Sequence, residues 1–285
     1  MRVVCMIGLI GDDTKMSDQN EFAMRVQDLH KSFGALQVLR GTSIAFPRGR
    51  TTVVMGPSGC GKSVLLRHLV ALERPDRGEV FFGNQRIDLV RDRDLVGVRR
   101  KIGYLFQQGA LFDSFTIGDN VAFPLVEHGL TKVGARDERV VQVLRMVGLE
   151  EKLKQMPADL SGGQRKRVAL ARAIVLQPEV VLYDEPTTGL DPITSDVINE
   201  LILKLADEMG ITSVVVTHDL TSAFKVADRM VMLHEGTVRL EGVPELFRSA
   251  QDPVVARFLK GEANPEELAE INRVHNLLTT PAASA

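Results

Sequence analysis

A chain of 285 residues with 44% hydrophobic and 25% charged content suits one large domain, or one domain with an inserted lobe, around a substantial core. The net charge of −2 gives no hint of nucleic acid as a partner. Two cysteines, Cys5 and Cys60, imply no disulfide framework, so a reducing compartment is expected. No apolar run reaches membrane-spanning length. The leading run from Val3 to Ile10 is too short and lacks a small-residue cleavage site, so residues 1–20 are expected to form a disordered leader, with Met16 as an alternative start.

In chain order, Met24 to His30 alternates loosely and reads as a strand, followed by a loop carrying Phe33. Val38 to Pro47 and Arg50 to Met55 read as two more strands joined by a turn. The second is apolar and partly β-branched. It runs into GPSGCGKS, Gly56 to Ser63, after which Val64 to Ala71 has helical spacing. In a strand–glycine loop–helix unit, backbone N–H groups turn inward around phosphate oxygens, and the helix N-terminus adds partial positive charge. Gly56, Pro57, Ser58, Gly59, Cys60, Gly61, Lys62, Ser63 and Val64 are therefore candidate nucleotide-binding residues. Lys62 is expected to reach the β- and γ-phosphates and the Ser63 hydroxyl to ligate Mg²⁺. Cys60, in the loop beside Lys62, is expected to favour the thiolate.

Pro75 to Gly78 reads as a turn, Glu79 to Phe82 as a hairpin strand, and Asp92 to Arg100 as a short charged helix. Lys101 to Phe106 is a buried strand ending at Gln107. Phe115 to Leu125 and Glu138 to Val147 have helical character. Leu160-Ser-Gly-Gly-Gln164 precedes a helix from Arg165 to Leu176. Ser161 is its cap, and Gly162 and Gly163 leave N–H groups open to a second anion; without such a use, two glycines only weaken a helix start.

Glu179 to Tyr183 is a continuous apolar strand ending in Asp184-Glu185. Asp184 is expected to hold Mg²⁺ through water. Glu185, on the opposite face, is expected to orient or deprotonate the water that attacks a γ-phosphate. Asp196 to Glu208 is a helix, Thr212 to Thr217 a buried strand ending at His218, Thr221 to Ala227 a helix and Arg229 to Leu233 a strand. Such alternation predicts a mostly parallel sheet with helices on both faces and a ligand at the carboxyl ends of its strands.

The set GPSGCGKS, Gln107, LSGGQ, VVLYDEP, GLDP at Gly189–Pro192 and THD at Thr217–Asp219 resembles the ATP-binding cassette (ABC) ATPases over roughly Met24 to Gly242. The resemblance implies a P-loop NTPase α/β fold. Its parts would be a mostly parallel sheet, an antiparallel β subdomain and an inserted α-helical signature subdomain at about 108–177, within an ATPase domain at 21–248. It implies ATP and Mg²⁺ as cofactors, ATP hydrolysis, and a second copy packed head to tail. Ser161, Gly162, Gly163 and Gln164 would then act on the γ-phosphate held by the partner. Asp191 would link the two sites, His218 would contact the γ-phosphate, and Phe33 would stack on adenine. Gln107 would join Ser63 and Asp184 around the metal and relay to the membrane partner.

Within that family, Leu105 to His128, Arg165 to Thr194 and Asp252 to Gly261 are similar to the ATPases of lipid transporters that work with mammalian-cell-entry (MCE) domain proteins, the Mla-type systems. Gln164 departs from those members that carry Met there. The resemblance implies transport of phospholipids or related lipids with an integral membrane permease and an MCE-domain protein, at the cytoplasmic face of the inner membrane and without nucleic acid. Leu111, Phe112 and Phe115 are expected to pack on the permease. One rival is the ATPase of a small-solute importer, such as one for polar amino acids. A soluble ABC protein of DNA repair or translation is disfavoured by the lack of a second cassette, a long coiled coil or a zinc insertion. In the 249–285 extension, Asn264 and Pro265 begin a helix with Leu268, Ile271, Val274, Leu277 and Leu278 on one face. That helix is expected to contact the second copy.

Overall fold

The computed structural model of the chain describes residues 21–129 and 132–263, so the leader and the helix expected from Asn264 onward lie outside the described residues. Its centre is a six-stranded sheet in the order β10-β9-β3-β8-β7-β6. The strands are β3 (Thr51–Met55), β6 (Ile102–Leu105), β7 (Val180–Asp184), β8 (Thr212–Val216), β9 (Arg229–His234) and β10 (Thr237–Gly242). All neighbours pair in parallel except β10, which returns antiparallel along β9. Every residue of β3 and β8 is buried, which is why their sequences are runs of Val and Thr without alternation.

A second, antiparallel sheet has the order β2-β1-β4-β5, formed by β1 (Phe22–Phe33), β2 (Leu36–Pro47), β4 (Arg77–Phe82) and β5 (Gln85–Arg86). The first two strands are longer than their patterns predict. Register shifts between Val26 and Leu29 and again near Lys31 break the alternation, so the pairing continues through residues that read as loop. Phe33 therefore ends β1 and is not in a loop.

Strand alternation divides the core in two. Val54, Leu182, Val214, Val216 and Val231 face the antiparallel sheet, with α1 (Lys62–Leu69) packed there through Leu65, Leu66 and Leu69. Burying each of these leucines contributes about 1.5–3 kcal/mol. Val53, Met55, Tyr183, Val215 and Met232 face the helical side. That side is covered by α3 (Ile117–Glu127), α4 (Val133–Met146), α5 (Gly162–Ile174), α6 (Pro192–Met209), α7 (Leu220–Val226) and two short helices, α8 (Pro244–Arg248) and α9 (Pro253–Lys260). The charged segment at Asp92–Arg100 is a 3₁₀ turn followed by α2 (Val96–Arg99). The helix after LSGGQ starts at Gly162, three residues earlier than its pattern indicates, because Ser161 and Gln164 form a capping box that draws both glycines into the first turn. Strand β10 and helices α8 and α9 have no counterpart among the predicted elements.

Candidate active site

Four strand ends converge on one edge of the central sheet. From β3 the chain turns at Gly56, whose φ is +147° and whose added Cβ would lie 2.1 Å from the Leu233 carbonyl oxygen of β9. Only glycine lets the loop leave the sheet so close to its neighbour. The loop then wraps the N-terminus of α1. Ser58, Gly59, Gly61, Lys62, Ser63 and Val64 line a cleft of about 350 Å³ together with Phe33, Val38, Gln107 and Glu185. Gly56, Pro57 and Cys60 belong to the same loop but do not line the cleft. The Lys62 ammonium donates to the carbonyls of Gly56 at 2.8 Å and Pro57 at 2.9 Å, so the cation is held across the mouth of the loop. Phe33 stands at the rim, 45% exposed, with the Lys31 ammonium 5.3 Å from its ring centre.

Cys60 is a correction to the sequence reading. Its thiol is 7% exposed, and burial pushes it up from the ordinary range against a smaller downward pull from Lys62. Desolvation outweighs the helix N-terminus and the lysine, so the loop holds a thiol and not a thiolate.

At the end of β7 the two carboxylates part as the pleat requires. Asp184 turns toward α1, where its Oδ1 accepts from the Ser63 hydroxyl at 2.9 Å and its Oδ2 from the Tyr104 hydroxyl at 3.3 Å. Burial raises the Asp184 carboxyl above its usual range. Glu185 turns to the helical face. Its backbone is left-handed, with φ +50°, and its N–H donates to the Val216 carbonyl at 2.9 Å. A non-glycine residue held in that region is strained and is commonly found where side-chain direction matters. The Glu185 carboxylate accepts from the Thr188 hydroxyl at 3.1 Å and lies 2.9 Å from His218 Nδ1. An ionised carboxylate only accepts, so the imidazole donates from Nδ1. His218, at the end of β8, and Glu185, at the end of β7, are thus brought together, as Asp184 and Ser63 are.

Lys166 was missed in the sequence. It sits in the charged run Gln164 to Arg167, yet it is buried and donates to the carbonyls of Gln107 and Glu185. Burial lowers its pKa from the ordinary value. A signal was present: Lys166 lies three and four residues before buried Ala169 and Leu170, on the inner stripe of α5. Thr188 and Tyr104 were missed as well. Thr188 reaches back to Glu185, three residues before it in the same turn, whereas the role of Tyr104 depends on the strand that the fold sets beside it.

LSGGQ does not line the cleft. Ser161 accepts from the Gln164 N–H at 3.3 Å and Gln164 Oε1 accepts from the Ser161 N–H at 3.0 Å, while Ser161 and Gly162 stay exposed. Gly163 is buried against α6: an added Cβ would sit 2.3 Å from Thr194 Cγ2. Thr194 in turn donates its hydroxyl to Asp191, which caps α6 by accepting from the N–H groups of Ile193 and Thr194, each at 3.0 Å. The two motifs therefore share one packed contact. Among the described residues, no group of three or more His, Cys, Asp or Glu side chains is placed to hold a metal, and no helix is long and apolar enough to cross a membrane.

A glycine phosphate loop between a strand and a helix, with a serine–carboxylate pair at its mouth and a second carboxylate across the cleft, defines a P-loop nucleoside triphosphatase. The chain belongs to the ABC transporter family, whose model matches residues 39–188. It is the ATP-binding, ATP-hydrolysing subunit of an ABC transporter. Among its relatives, the probable ribonucleotide transport ATP-binding protein mkl of Mycobacterium leprae is 39% identical over 252 residues, covering 88% of this chain and 72% of that one. The intermembrane phospholipid transport system ATP-binding protein MlaF of Escherichia coli is 38% identical over 239 residues, covering 84% and 89%. Among solved structures, the ATP-binding cassette MJ0796, a dimer in a post-hydrolysis state bound to ADP and Pi, matches at a TM-score of 0.72 with 36% identity, over 77% of this chain and 98% of that one.

Proposed function

We propose that this chain powers a transporter of phospholipids or related lipids. It would act as a head-to-tail dimer on the cytoplasmic face of the inner membrane, with an integral permease and an MCE-domain protein. The cargo reading is supported by the likeness to MlaF proteins of Escherichia coli and Haemophilus influenzae, both named for intermembrane phospholipid transport. The dimeric reading is supported by an LSGGQ that stands apart from the cleft with Ser161 and Gly162 exposed, and by the dimeric MJ0796 relative.

The site reading rests on a single observation: Lys62, Ser63, Gln107 and Glu185 line one cleft with the glycine loop. Lys62 would exchange its loop carbonyls for phosphate oxygens, and Phe33 would carry the adenine. Ser63 and Asp184 form a hard-oxygen pair that suits Mg²⁺, which prefers one or two carboxylates completed by phosphates and water. Bound there, Mg²⁺ would neutralise charge on the β- and γ-phosphates. Glu185 would orient or deprotonate the attacking water, and His218 would hold the carboxylate toward the γ-phosphate. Ser161, Gly162, Gly163 and Gln164 would reach the partner's nucleotide, with Asp191 linking the two sites.

Docking to the permease would use the loop after Gln107. Phe112 and Phe115 are exposed and lie against Phe123, with ring centres 4.8 and 6.2 Å away respectively, whereas Leu111 packs on the core. Buried Asn120 holds the loop from beneath: its side chain accepts from the Phe112 N–H and donates to the carbonyls of Phe112, Phe115 and Thr116. The patch is thus fixed before any partner arrives. Phe115→Glu in the membrane complex tests this reading. The expected result is a folded chain whose isolated ATPase is kept while the lipid-loaded complex is lost. Normal complex assembly, or co-purification with a solute-binding protein in place of lipid, would overturn it.

A further inference from the structure

Tyr104 touches the site from an unexpected side. Strand β6 is the edge of the central sheet, paired with β7 so that Tyr104 lies opposite Leu182. Both side chains face the α1 side, and so does Asp184 two residues after Leu182. The Tyr104 hydroxyl therefore reaches diagonally across to Asp184 Oδ2 at 3.3 Å, while Ser63 holds Oδ1 at 2.9 Å. Each carboxylate oxygen has its own donor, so the side chain is fixed at both ends. On its other side the Tyr104 ring stacks on Phe106, with ring centres 4.2 Å apart and planes inclined by 25°. Phe106 is the residue immediately before Gln107.

We propose that Tyr104 is a positioning residue for the metal half of the site. Its hydroxyl sets the direction of Asp184, and its ring ties the start of the Gln107 segment to the same carboxylate. The proposal rests on the reading of Asp184 as the metal-holding acid. With Oδ2 occupied by Tyr104, Oδ1 is the oxygen left to face a cation once Ser63 turns to it. Phenylalanine at this position would keep the stack on Phe106 and lose only the hydrogen bond. Leucine would lose both.

The experiment uses the full chain with ATP, in Glu185→Gln background to prevent turnover, and reads Mn²⁺ binding by the loss of its free-ion electron paramagnetic resonance signal. Tyr104→Phe should weaken Mn²⁺ binding about tenfold, the scale of one hydrogen bond to a charged acceptor, with metal-free ATP affinity unchanged. In the otherwise native chain the Mg²⁺ concentration for half-maximal hydrolysis should rise in parallel. Tyr104→Leu should add faster chymotryptic cleavage at Phe106, which Tyr104→Phe should not. Asp184→Asn separates the two layers. If it abolishes Mn²⁺ binding and Tyr104→Phe leaves it unchanged, the positioning role is overturned while the metal reading stands. If Asp184→Asn also binds Mn²⁺ normally, both are overturned.

Discussion

The phosphate loop and LSGGQ are both glycine-bearing turns at helix N-termini, but they are finished differently. The first is closed within the chain: α1 is clamped between two sheets, Lys62 bridges its own loop, and residues that follow β3, β6 and β7 share one cleft. The second is stiff but open. Its cap is satisfied by its own side chains, its buried glycine is packed on α6, and Ser161 and Gly162 face outward, away from the nucleotide cleft. An exposed, preorganised helix start is what a contact in trans requires. The comparison predicts that damage to the first region is felt within one copy, and damage to the second only between copies.

The largest expected effect comes from Glu185→Gln. Loss of a positioned base costs about 10²–10⁴-fold in rate, so turnover should fall by that factor while ATP binding persists and the dimer accumulates. Near-normal turnover in a phosphate-release assay would remove Glu185 from the chemistry. Gly163→Ala comes next. Its methyl group would collide with Thr194 Cγ2, pushing the first turn of α5 off α6. Hydrolysis should drop by about 10²-fold, as when an oxyanion donor is lost, with nucleotide affinity of the single copy unchanged. Thr194→Ser in the same chain removes the obstructing methyl and keeps the hydroxyl for Asp191, so it should restore much of the rate. Failure of that rescue would show that the α5–α6 contact is not what sets the signature.

Lys62→Ala should weaken ATP binding about 10–100-fold, the scale of a charge-assisted contact to phosphate. Mixed with Gly163→Ala chains, it sharpens the comparison. A heterodimer places both defects at one composite site and leaves the other intact, so activity should reappear on mixing. If mixing restores nothing, the two regions do not complement each other in trans.

What was legible follows from how local each feature is. The phosphate loop, Asp184-Glu185 and the Ser161 cap are written in contiguous residues flanked by the strands and helices they need. Tyr104 and Lys166 act through partners 80 and 59 positions away, fixed only when β6 joins β7 and α5 packs inside. Strand β10 had a turn signal in Glu235-Gly236, both at positive φ, but its half-exposed residues blur the alternation. Helix α9 opens with Asp252 and Pro253, a cap and first-turn pair as clear as that of α6, and stands out less because only Val255 is fully buried.

The smallest effect concerns Cys60, where two influences of opposite sign meet. A helix N-terminus and Lys62 stabilise the thiolate; enclosure beneath the loop destabilises it, and enclosure prevails. For an acid whose pKa is raised, the neutral form persists to higher pH. Alkylation in a Cys5→Ser background should therefore be slower than for a small free thiol at neutral pH, and should climb only above the ordinary thiol range. Nucleotide should protect further, because entry to the thiol passes the loop. Cys60→Ser, nearly equal in volume, should change ATP affinity less than Lys62→Ala does. The reading is checked by maleimide labelling rates followed by mass spectrometry across pH, with and without MgATP. Rapid labelling at neutral pH would mean that the helix end and the lysine prevail over burial, and that the loop is more open than its packing implies.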